Sequence, residues 1–112
     1  MKTACIILNR NIKKPTEKLY RYFKSLKFDT FVVEAGSDAK NIGNYKYWHL
    51  KNKIVKKRGL RFCQGFNYGL WRLYKEDKLK EYDLVYLVTN DEIIKNKFSP
   101  YKINNIFKKI PR

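Results

Sequence analysis

Residues 83–92, Asp-Leu-Val-Tyr-Leu-Val-Thr-Asn-Asp-Glu, set an amide and two acids directly after an apolar run. The run from Leu84 to Val88 has the composition of a strand buried on both faces, as in a parallel sheet. Carboxylates are costly to bury unpaired, so Asp91 and Glu92 should emerge where that strand ends. In open α/β sheets the carboxyl edge is where ligands sit. Asn90, Asp91 and Glu92 there suit a hard divalent cation, which takes oxygen ligands and bridges to phosphates. The plainer alternative is a solvated turn.

Other elements must bring partners to the same edge. Residues 3–9 form an apolar first strand that ends in Asn9 and Arg10. Pro15 suits the first position of a helix, and Leu19, Tyr22, Phe23 and Leu26 repeat at helical spacing, which predicts a helix over 15–27. Residues 30–34 form a second strand, followed by the turn Gly36-Ser37-Asp38. Strand, helix and strand in this order make a βαβ unit with parallel strands. Residues 45–50 suit a short third strand, and 51–61 a basic, exposed linker. Phe62, Phe66, Leu70 and Leu73 mark a helix over 62–75, in which Gly65 and Gly69 lower helix propensity and so point to close approach to a sheet or ligand. A last helix is expected over 99–110, with Ser99 as cap, Pro100 as first residue, and Ile103, Ile106, Phe107 and Ile110 as its apolar face. These elements predict one α/β domain over residues 1–112, a three-layer Rossmann-like sandwich with a mainly parallel sheet. The strand order 3-2-1-4 would gather Asn9, Glu34 and Asp91 on one edge.

Composition narrows the class further. A hydrophobic content of 44% is ample for one core, and no apolar run approaches the roughly 20 residues that span a bilayer. The apolar start is too short for a signal peptide and is broken by Asn9, Arg10 and Asn11, so the expected location is cytoplasmic. Cys5 and Cys63 read as two buried, reduced thiols, and His49 as a packed or surface histidine. The formal net charge of +16 attracts polyanions: nucleic acid, anionic lipid or nucleotide phosphates. Arg10, Lys14 and Arg61 are candidate phosphate contacts or simply solvated cations.

Four segments carry a resemblance: Asn9-Arg10 at the end of strand 1, Val32-Val33-Glu34-Ala35-Gly36-Ser37-Asp38 at the end of strand 2, Asn67-Tyr68-Gly69-Leu70 in the second helix, and Thr89-Asn90-Asp91-Glu92 after the last strand. Together they resemble the amino-terminal, nucleotide-sugar-binding half of a family 2 glycosyltransferase with the GT-A fold. The second segment is similar to the family's valine-valine-aspartate-asparagine-glycine-serine segment, the third to its Asn-x-Gly-Leu, and the fourth to its acidic motif. The resemblance covers roughly residues 3–95. It implies a GT-A-like fold, truncated at this length, with nucleotide-sugar contacts from Asn9, Arg10, Glu34, Gly36, Ser37, Asp38, Asn67 and Asn90. Glu34 would meet uracil or ribose, and Asp91 with Glu92 would bind Mn²⁺ or Mg²⁺ to hold the diphosphate. The implied donor is a UDP-type nucleotide-diphosphate sugar. The implied acceptor is a glycan or lipid-linked sugar in cell-surface polysaccharide synthesis, with peripheral contact to an anionic membrane.

The chain departs from the family pattern in two places. The spacing from Gly59 to Asn67 is longer by about two residues, and Asn90-Asp91-Glu92 is not a strict Asp-x-Asp. The half that supplies the acceptor site and the catalytic base would lie beyond this length, so the catalytic residues are unknown. The alternatives are a basic nucleic-acid-binding module, disfavoured because many of its aromatic residues fit a helix stripe or a strand face, and an inactive truncated relative.

Overall fold

A computed structural model describes residues 2–89. Strand β1 (Thr3–Asn9) lies between β2 (Asp29–Ala35) and β4 (Leu84–Thr89), and β3 (Tyr47–Leu50) flanks β2. The order is β3-β2-β1-β4, and every pairing is parallel. Helix α1 (Lys13–Ser25) joins β1 to β2. Helices α2 (Lys53–Arg58) and α3 (Phe62–Lys75) lie between β3 and β4.

The alternation of side chains along β1 explains the three layers. Cys5 and Ile7 face one way and pack with Leu19 and Phe23 of α1, with Val32 and with Val88. Ile6 and Leu8 face the other way and pack with Val33, Ala35 and Leu73 of α3. The expected three-layer, Rossmann-like architecture is therefore present. The expected α3 boundaries coincide with the observed ones, and its glycines have a packing role. A Cβ on Gly65 would collide with Leu8, and one on Gly69 would lie 2.9 Å from Ile6 Cγ2 and 3.1 Å from Val33 Cγ2. The missing side chains let α3 settle onto the sheet.

Several expectations need correction. The strand buried on both faces is β1, not β4. Among the described residues β4 has a neighbour only on one side, and its Leu87 is 44% exposed, because α3 seats over β1 and β2. Helix α1 starts at Lys13, so Pro15 is its third residue rather than its first. It is still within the turn whose N–H groups lack helical partners.

Strand β3 starts at Tyr47, which leaves Tyr45 in the preceding loop. The basic linker is not featureless, because α2 lies within it. Asn52 Oδ1 accepts from Val55 N at 2.9 Å as its N-cap, and Gly59, at φ 73°, ends it. Cys5 is buried as expected, but Cys63 is exposed. His49 is half-buried on β3. The helix expected over 99–110 lies outside the described residues. Among the described residues, no helix is long and apolar enough to cross a membrane.

Candidate functional site

Because β1, β2 and β4 are parallel, their polar tips share one rim. Asn9 and Glu34 are register partners, while Thr89 pairs with Leu8, one residue before Asn9. The winding reverses between β1 and β4, the position where open α/β sheets form a binding crevice.

Asn9 and Glu34 are both fully buried. The Asn9 amide Nδ2 donates to Glu34 Oε1 at 2.6 Å and to Oε2 at 2.9 Å. Tyr45 donates its hydroxyl to Glu34 Oε1 at 2.9 Å. Asn9 Oδ1 accepts from Ile12 N at 3.1 Å, which ties the strand end to the entry of α1. Ser37 Oγ accepts from Asn11 N at 3.0 Å, and the Ser37 side chain also bonds Glu34. Asn11, in the left-handed region at φ 59°, directs Oδ1 at Asp38 N, 2.8 Å away, and at Asn41 Nδ2, 3.2 Å away. The loops after β1 and β2 are thus stitched together by side-chain amides.

Among the described residues, no cation balances Glu34 in this network. Burial pushes its carboxyl above the usual range, against the lowering effect of the bonds from Asn9, Tyr45 and Ser37. Burial, with the Glu34 charge beside it, also raises the Tyr45 phenol, which stays protonated and able to donate. His49, the register partner of Glu34 on β3, shifts the other way. Burial, then Lys51 and Lys56, depress its imidazole, and its buried Nε2 has no partner among the described residues.

Arg10 is engaged by α2. Its guanidinium donates to the carbonyls of Val55 (3.3 Å), Lys56 (3.2 Å) and Lys57 (3.2 Å), the C-terminal end of α2. A cation there complements the helix dipole. Gly36, at φ 75°, lets the backbone of α2 approach β2: a Cβ would lie 2.6 Å from Val55 O.

Of the sequence-predicted residues, Asn9, Glu34, Gly36 and Ser37 gather at the rim, and Asp38 stands exposed at its edge. Asn67 is not brought there. It is exposed, and two residues along a helix is a rotation of roughly 200°, so it points away from the face on which Gly65 and Gly69 meet the sheet. Asn90, Asp91 and Glu92 lie outside the described residues. Among the described residues, no three His, Cys, Asp or Glu side chains gather in a way that could hold a metal ion.

Sequence reasoning missed Tyr45, Asn11 and Asn41. Asn11 alone carried a signal, as an asparagine in a short polar loop that tolerates the left-handed region. A separate cleft of about 280 Å³, lined by Lys24, Asp29, Lys46 and Tyr82 among others, opens near the start of β2, at the opposite rim.

Fold and rim define an all-parallel, Rossmann-like α/β unit with a buried amide–carboxylate bridge at its carboxyl edge. In comparisons with protein-family models, with curated proteins and with solved structures, no match to the chain is found.

Proposed function

We propose that the chain binds the nucleotide of a nucleotide-diphosphate sugar at the carboxyl rim, as the donor-binding part of a glycosyltransferase acting on a glycan or lipid-linked acceptor. One observation carries this reading: the Asn9–Glu34 bridge closes the carboxyl ends of β1 and β2, next to the β1–β4 boundary where the winding reverses. A carboxylate at that place accepts from a uracil N–H or a ribose hydroxyl. Tyr45 holds the corresponding position on Oε1, and it belongs to a loop rather than to a strand. On this reading the nucleotide displaces the Tyr45 hydroxyl. Tyr45→Phe removes the competing donor and should tighten UDP binding about two- to tenfold, the worth of one hydrogen bond. Calorimetric titration measures it, and weaker binding would contradict the displacement.

The proposed cation, Mn²⁺ or Mg²⁺, falls to Asp91 and Glu92, with Asn90 beside them. Its chemistry would be to offset charge on the leaving diphosphate. Asp91→Asn should weaken metal-dependent UDP binding at least tenfold. Equal binding with and without chelator would remove the metal from the account, and no binding at all would favour an inactive relative.

A second reading, a surface for single-stranded nucleic acid, draws on a specific observation. Trp71 and Tyr74 are 50% and 69% exposed, and Lys75 lies 5.8 Å over the Trp71 ring. Rings with nearby cations stack bases. That reading requires affinity for RNA that falls steeply with salt and is indifferent to Asp91→Asn.

A further inference from the structure

The chain carries no acidic residue between Asp38 and Glu76, and α2 lies within that stretch. Val55 is the buried residue of α2, and its backbone carbonyl lies against Gly36. Ile54, the residue before it, is 70% exposed. Residues three and four apart share a helix face, so Lys57 and Arg58 flank Ile54, with Lys53 adjacent in sequence. All three cations are exposed. The ion pairs among the described residues involve none of them. The result is an aliphatic tip ringed by uncompensated positive charge. The helix is short, but it is clamped to the rim by Arg10 and by its contact with Gly36.

We propose that this face of α2 docks on an anionic lipid surface, with Ile54 entering the acyl boundary and Lys53, Lys57 and Arg58 pairing with headgroup phosphates. A cationic face with an apolar tip is the chemistry of interfacial attachment. A nucleic-acid backbone would match the charge but has no use for an exposed aliphatic side chain, since its bases stack on aromatic rings. The proposal gives the membrane partner of the donor-site reading a place on the molecule, and it rests on that reading only for the partner's relevance. Since α2 is bound to the loops after β1 and β2, docking would set the carboxyl rim close to the surface where a lipid-linked acceptor lies.

The test is co-sedimentation of the full chain with vesicles of phosphatidylglycerol and phosphatidylcholine in equal parts, against pure phosphatidylcholine. The chain should partition onto the mixed vesicles and not onto the neutral ones. Ile54→Ser should lower partitioning about fivefold through lost apolar burial. Lys57→Ala with Arg58→Ala should lower it roughly twenty-five-fold, at about fivefold per charge. These side chains are exposed, so the fold should survive, as circular dichroism would verify. Equal retention on neutral vesicles, or no change with Ile54→Ser, would overturn the proposal. Retention of single-stranded RNA with no retention on vesicles would overturn it in favour of a nucleic-acid surface. UDP binding by the Ile54→Ser chain, measured in parallel, reads the donor site independently.

Discussion

Replacing Glu34 by alanine should cost about 3–5 kcal/mol of folding stability, the largest loss expected from any single polar side chain of the rim. Glu34 is fully buried. Its removal leaves the Asn9 amide and the Tyr45 hydroxyl without their acceptor and opens a cavity between two loops. Chemical denaturation measures the loss. A change within about 0.5 kcal/mol, as for a typical surface substitution, would show that the bridge does not hold the rim together.

Glu34→Gln keeps the shape and one acceptor, so its loss should be smaller, and it exposes the pH dependence. The Glu34 carboxyl is raised above 4.5 in the folded chain. Its contribution is therefore fully present below pH 4.5 and is lost as pH rises through the folded value. His49 works in the opposite sense. Its imidazole is depressed below 6.5, so its contribution is present above that pH and is lost as pH falls through the folded value. The difference between wild type and Glu34→Gln cancels His49. On acidification from neutrality toward pH 4.5, wild type should gain stability relative to the variant. A difference that stays flat across that window would contradict a carboxyl raised by burial.

The second large effect is expected at Gly36. Alanine there must adopt φ 75° with its Cβ 2.6 Å from the Val55 carbonyl. Backbone strain and a clash with backbone add to about 2–4 kcal/mol. Relief requires α2 to move, so amide exchange over α2 should accelerate more than over β1. Asn67→Ala, on the exposed face of α3, is the control and should change stability by less than about 0.5 kcal/mol. Unchanged exchange across α2 would mean that Gly36 does not seat it.

These positions show which parts of the molecule were legible in the sequence. Strand β1, strand β2 and helix α3 follow from unbroken apolar patterns, and the order that gathers Asn9 and Glu34 follows from parallel winding. Helix α2 stayed hidden because a single residue, Val55, turns to the core and the rest of it, apart from the exposed Ile54, is basic. Its cap Asn52 and its terminator Gly59 were nevertheless present as signals. Strand β4 looked fully buried because its composition resembles that of β1. Among the described strands β1 has β2 and β4 on its two sides, and Gly65 and Gly69 let α3 settle over it. Asn67 was assigned to the rim by its likeness to a motif, whereas its position midway between those two glycines already turns it outward. Tyr45 had no local signal, because its partner Glu34 is fixed only by tertiary packing.

The central claim is that a nucleotide occupies the carboxyl rim beside Asn9 and Glu34. Amide and side-chain NMR of the labelled chain, titrated with UDP and Mg²⁺, tests it residue by residue. The expected result is saturable shifts at the Asn9 side-chain amide and at Asn11, Ser37 and Tyr45, with Asn67 unmoved. No saturable shift, or shifts confined to Lys24, Asp29 and Lys46 at the opposite rim, would contradict it.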